Sequence, residues 1–257
     1  MNQISCFENG FVSGVIMKQT FISYHLRSRS THLTMRHLKQ FLLTLAFLVS
    51  STAHAVSGSH CASDNFLLHQ DTLRIAKVSL PVLAHFCYRD DSGNYVVYLT
   101  ESGDRRYDGE TLSSKIGAHL FKIDAGPILV PGGTVNDSAS VGMAGVQWWT
   151  KLTELNDIDG DGLVDPILVY RFYPSEEGKL VDDAYEGRLK IIVFHRNTKA
   201  AIRAITGDLD PHRSTTASAP YFKLPPILQT HLVRKMRRMY DEHQFGFDNG
   251  HDFRPQK

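Results

Sequence analysis

An α+β fold, mainly antiparallel β-sheet with hairpins and a C-terminal amphipathic helix, is predicted by three observations on this 257-residue chain. From residue 73 onward, short runs rich in Val, Ile, Leu, Phe and Tyr are separated by turns bearing Gly, Asp and Asn. Two pairs of such runs are joined by a few turn residues, which favours antiparallel neighbours over crossovers. Only near the C-terminus do apolar residues recur at helical spacing.

The N-terminal region is read first as processing signals. Residues 1–34 show no sustained periodicity and are expected to be an N-terminal extension ahead of the true start at Met35. From there Arg36, His37 and Lys39 form a basic n-region, residues 41–49 an apolar run, and Ala53-His54-Ala55 a small-x-small cleavage site. Residues 35–55 are therefore expected to be a signal peptide, 56–244 a single exported α+β domain and 245–257 a flexible tail. The apolar run is too short to cross about 30 Å of hydrocarbon, and no later segment reaches the length of a span. Residues 1–55 hold five of the 28 basic and one of the 27 acidic residues, so the remainder is formally −3. That balance argues against a nucleic-acid partner. Cys6 lies in the extension, leaving Cys61 and Cys87 as an even pair. In an oxidising compartment they are expected to form a disulfide, worth about 3 kcal/mol in the chain-entropy model, with two buried thiols as the alternative.

Along the exported part, residues 84–88 and 95–100 flank Asp90-Asp91-Ser92-Gly93-Asn94, a hairpin signal. Residues 189–195 and 200–206 flank Arg196-Asn197-Thr198-Lys199, a second one. Residues 119–123, 146–152 and 166–172 read as further strands. Residues 131–138 and 208–220, rich in Pro, Gly, Ser and Thr, read as connections, the second as the better boundary. Residues 224–242 place Ile227, Leu228, His231, Leu232, Met236 and Met239 on one helical face and Arg234, Lys235, Arg237 and Arg238 on the other. The basic cluster is expected to be solvated, with an anionic envelope partner as the alternative.

The most specific chemistry lies in residues 157–165, of the form D-x-D-x-D-G-x-x-D. Hard cations such as Ca²⁺ take six to eight oxygens, and this spacing offers Asp157, Asp159, Asp161 and Asp165 with the backbone carbonyl of Leu163. Gly162 stands where the loop must turn sharply. The twelfth position is Leu168 rather than a bidentate Glu, and Pro166 opens a β-type run, so the loop is expected to join two strands rather than two helices. A tight solvated turn without metal and a catalytic use of the same carboxylates are the competing readings.

Enzyme signatures are scarce. The sequence holds no G-x-S-x-G, H-E-x-x-H, C-x-x-C, P-loop or G-x-G-x-x-G pattern, and its histidines show no zinc-ligand spacing. Glu176-Glu177 and Asp182-Asp183 could supply a carboxylate pair for glycoside hydrolysis, although a charged loop accounts for them as well. Trp148-Trp149 should alternate across a strand, one indole facing the core and the other a surface suited to sugar stacking.

Residues 152–162 (LTELNDIDGDG), 165–170 (DPILVY), 189–192 (LKII) and 201–204 (AIRA) together resemble a family of exported bacterial surface-polysaccharide-biosynthesis proteins. The likeness spans roughly residues 146–240 and is carried by the DxDGDGxxD loop; Ala204 stands where that family commonly has Gly. The resemblance implies an exported, periplasmic or secreted envelope protein, and it brings no catalytic residues. The sequence thus predicts a non-enzymatic envelope or surface-glycan-associated protein with a Ca²⁺-stabilised loop. A carbohydrate-active hydrolase and an adaptor using the basic helix are the alternatives.

Overall fold

In the computed structural model, which describes residues 65–107, 109–124, 128–196 and 198–257, the apolar runs resolve into two large antiparallel sheets and a separate two-stranded one. These residues belong to one compact unit, Ala53–Lys257. After the short helix α1 (Gln70–Ile75), the chain makes β1 (Val82–Asp90) and β2 (Gly93–Glu101), a small hairpin β3 (Arg105–Tyr107) and β4 (Glu110–Leu112), then β5 (Lys115–Ile123) and β6 (Leu129–Ser138). The strands β1-β2-β5-β6 form the first sheet. Next come β7 (Met143–Trp148), β8 (Glu154–Asn156), β9 (Asp165–Glu176), β10 (Lys179–Leu180), β11 (Arg188–His195), β12 (Thr198–Ile205) and β13 (Ser214–Ala217), and helix α2 (Pro226–Asp241) closes the series. The second sheet runs β10-β9-β11-β12-β13, with β7 and β8 also paired to β9.

The layering follows from which face each residue presents. Along β9, Ile167 and Val169 point to one side while Leu168, Tyr170 and Phe172 point to the other, and all are buried. A strand covered on both faces needs this unbroken apolar run. On one side Leu168, Tyr170, Ile192 and Phe194 meet Val97, Leu99, Ala118 and Val135 of the first sheet. On the other, Ile167, Leu189, Ile191 and Ile202 meet Leu228, Leu232, Met236 and Met239 of α2. Each such large side chain contributes about 1.5–3 kcal/mol of burial. The far face of the first sheet, through Val96, Tyr98 and Phe121, packs on Leu67 and Val78 at the beginning of the described chain.

Both expected hairpins form, with tighter turns than the sequence suggests: Asp90 pairs Gly93, and His195 pairs Thr198. Five expectations are corrected. The strand expected over 146–152 ends at Trp148, and Thr150–Leu152 form a 3-10 turn. Residues 131–138 are not a connection but most of β6, an edge strand; Pro131 is tolerated there, and a register shift between Leu120 and Phe121 absorbs the irregularity. The segment 208–220 contains β13, hydrogen-bonded to β12, so it is no domain boundary. Residues 245–257 are not a loose tail, because Phe245, Phe247 and Phe253 are buried against α2 and the second sheet. On α2, Ile227 is exposed while Lys235 is buried. Among the described residues no helix is long and apolar enough to cross a membrane. The signal peptide, the N-terminal extension and Cys61 lie outside the described residues; Cys87 lies in β1, opposite Val96.

Candidate metal centre

β8 and β9 pair as a hairpin whose last partners are Asn156 and Asp165, and residues 157–164 form the loop between them. The first carboxylate shapes it. Asp157 Oδ1 accepts the N–H groups of Gly160 (2.8 Å) and Asp161 (3.2 Å), and Oδ2 accepts that of Gly162 (2.9 Å). Three backbone donors on one side chain curl the loop into a ring. The ring needs positive φ at Gly160 (+77°) and Gly162 (+84°), which glycine adopts without a Cβ penalty. At Gly162 the requirement is doubled, since a Cβ would lie 2.2 Å from Asp91 Oδ2.

The other carboxylates then face a common region. Asp161 Oδ1 accepts the Leu163 N–H (2.9 Å), and its Oδ2 accepts from Arg196 Nε (3.0 Å). Asp165 Oδ2 accepts the Ile158 N–H (3.2 Å), and its Oδ1 lies 2.8 Å from His195 Nδ1. Asp159 differs. Its side chain is only 9% exposed, Oδ2 stands 4.0 Å from His195 Nδ1, and Oδ1 is buried with no hydrogen-bond partner. Two overlapping donor sets result, Asp157/Asp159/Asp161 and Asp159/Asp165/His195, each with ligand atoms within 4.8 Å of one another.

Electrostatics make this arrangement costly without a counter-charge. Two carboxylates at that separation repel by about 3.5 kcal/mol at an effective dielectric of about 20. Burial pushes the Asp165 carboxyl upward, helped by nearby Asp159, against the hydrogen bonds from His195 and Ile158. Burial acts in the same sense on Asp161, but the Leu163 N–H and Arg196 outweigh it and hold that group below the usual carboxylate range. An orphaned anionic oxygen that water cannot reach calls for a cation small enough to sit among the donors. The oxygen-rich set fits a hard divalent ion, for which Asp157, Asp159, Asp161 and the Leu163 carbonyl would serve, with Asp165 engaged both with the site and with His195.

The loop also touches the first sheet. The Asp91 N–H donates to the Gly162 carbonyl (3.0 Å) and the Val164 N–H to Asp90 Oδ2 (3.3 Å). Asp90, Asp91, His195 and Arg196 were not singled out by sequence reasoning as parts of this centre. His195 is 30 residues from Asp165 and Asp90 is 74 from Val164, so no local spacing could announce them.

The remaining sequence candidates go elsewhere. Trp148 is a core residue whose Nε1 donates to the Thr100 carbonyl (3.2 Å). Trp149 packs instead against the core on the helix side, and both tryptophans border a cavity that Arg171 and Tyr173 also line. Glu176 and Glu177 are exposed at the β9–β10 turn, while Asp182 reaches Arg171 at 3.4 Å. The basic cluster of α2 is partly internal, because Lys235 Nζ donates to Glu154 Oε1 (2.5 Å) and to the Leu152 carbonyl (2.8 Å). No family model matches the chain, and no curated protein or solved structure matches it.

Proposed function

We propose that the protein is an exported, non-enzymatic envelope or surface-glycan-associated factor whose acidic loop holds Ca²⁺. The observation that carries the metal is the unpartnered, buried Oδ1 of Asp159, a residue shared by the Asp157/Asp159/Asp161 and Asp159/Asp165/His195 donor sets. The loop is bonded to the β1–β2 hairpin, so an ion there fixes one sheet against the other and rigidifies the end of the sandwich. Export is supported by the signal-like sequence at residues 35–55, and the glycan association by the resemblance around the DxDGDGxxD loop. The adaptor alternative is weakened by the withdrawal of Lys235 from the surface of α2.

The test is thermal unfolding of the protein in Ca²⁺ and in EDTA. Any ligand that binds only the folded state stabilises it by mass action, about 2.7 kcal/mol at a hundred-fold excess over Kd. A melting temperature several degrees higher in Ca²⁺ is expected. An unchanged value refutes the structural ion.

A further inference from the structure

Where β7 ends at Trp148, a cavity of about 700 Å³ is lined by that residue and by Trp149, Gln147, Arg171, Tyr173 and Gln244, among others. Its size falls in the range of small-molecule sites. Arg171 is the unusual member. Its side chain is 3% exposed, and its guanidinium lies 4.7 Å from the Tyr173 ring centroid, 5.7 Å from that of Trp149 and 5.8 Å from that of Phe245.

This buried cation is poorly neutralised. One terminal nitrogen donates to the Asp183 and Glu186 carbonyls, which carry no net charge. The other meets a single carboxylate, Asp182 Oδ1, at 3.4 Å, and that side chain is 66% exposed. Asp183 bonds the Tyr185 N–H with its carboxylate and acts on the guanidinium only through space, and Arg171 Nε has no partner. A buried charge is normally matched by a close anion, and an exposed partner supplies little. That Asp182 reaches the guanidinium from the surface also shows that an outside carboxylate can approach it.

The rest of the lining indicates what kind of molecule carries that carboxylate. Trp149 is half-buried and offers aromatic surface, and its Nε1–H donates to the hydroxyl of Tyr173 (3.0 Å), whose buried ring lies against Arg171. The amides of Gln147 and Gln244 both donate and accept, as hydroxyl groups require, and Gln244 Oε1 is buried without a partner. Aromatic face, amides and a guanidinium together suit a hydroxylated ring bearing an acid group. We propose that this cavity binds a carboxylate-bearing sugar of a glycan, its ring against Trp149 and its carboxylate taking the place of Asp182 on Arg171. The inference rests on the glycan-associated reading and names its ligand class.

Calorimetric titration of the full-length protein with a defined oligogalacturonate tests it, with a neutral oligoglucan of equal length and a short acidic peptide as comparators. Saturable binding of the oligouronate is expected, with the neutral sugar at least about ten-fold weaker. Trp149→Leu should weaken binding by about ten-fold, and Asp182→Asn should tighten it roughly two- to five-fold by removing the competing anion. These variants are used because Arg171 supports the surrounding chain, and their thermal unfolding confirms that each is folded. Equal affinity for acidic and neutral sugars, equal affinity for the peptide, or indifference to both substitutions overturns the proposal. Absence of oligouronate binding, while the protein still co-sediments with isolated envelope glycan, overturns this site alone. Loss of that co-sedimentation as well overturns the glycan-associated reading beneath it.

Discussion

Glu154 offers a quantitative test of how α2 is held to the sheet. Its side chain is 16% exposed and bonds Lys235 Nζ at 2.5 Å and His231 Nε2 at 2.6 Å, with Arg238 at 3.4 Å. Lys235 is 1% exposed and otherwise keeps only the Leu152 carbonyl. Burial works against the Glu154 carboxylate, but His231 and Lys235 overcome it and bring its pKa from 4.5 to about 2. That depression corresponds to about 3 kcal/mol of stability, because the unfolded state takes up the proton first as the pH falls. The contribution is complete above about pH 4.5 and is lost as the pH drops through about 2. Lys235 shows the opposing half of the ledger: burial lowers its pKa more than Glu154 raises it. The pair as a whole therefore contributes less than its glutamate half.

Glu154→Gln leaves an ammonium buried without its anion and should cost about 3 kcal/mol at pH 7, measured by urea unfolding. The double change Glu154→Gln with Lys235→Met should recover much of that loss, since an apolar replacement has no charge to desolvate. Stability that moves by less than about 0.5 kcal/mol in the single variant refutes this account of the helix–sheet contact.

Two glycines give further tests. Gly162→Ala combines the cost of a positive φ with a clash on Asp91, and should lower stability by about 2 kcal/mol and weaken Ca²⁺ stabilisation; Gly160→Ala, with open space at its Cβ, should cost only about 1 kcal/mol. Equal losses measured by denaturant unfolding would remove the Asp91 contact from the explanation. Gly133→Ala would place a methyl 2.6 Å from the Phe194 ring, and a loss of about 1–3 kcal/mol is expected in the same assay, whereas no change would mean that β6 does not lie against Phe194.

The sequence revealed what depends on short spacing. Both hairpins, the β9 run and the acidic loop are legible because short apolar runs bounded by turn residues and the DxDGDG string are local. The edge strand β6 was hidden by Pro131, Gly132 and Gly133, which read as a connection although the edge tolerates Pro and Gly133 gives Phe194 room. Lys235 looked like part of a basic face because its partner Glu154 lies 81 residues away. The buried place of Phe245, Phe247 and Phe253 was likewise invisible, since no regular period marks an irregular segment that packs by its aromatic rings alone. At the candidate metal centre, the acidic loop residues could be read directly, but the contributions of His195, Arg196 and the Asp90–Asp91 turn exist only once two hairpins are folded together.

The cation proposed to sit against Asp159 is tested by the calcium content of the full-length protein after loading and gel filtration, set beside that of Asp159→Asn. Retention of a stoichiometric ion by the parent and its loss in the variant is the predicted result. A parent that retains no calcium, or a variant that retains as much as the parent, contradicts the claim.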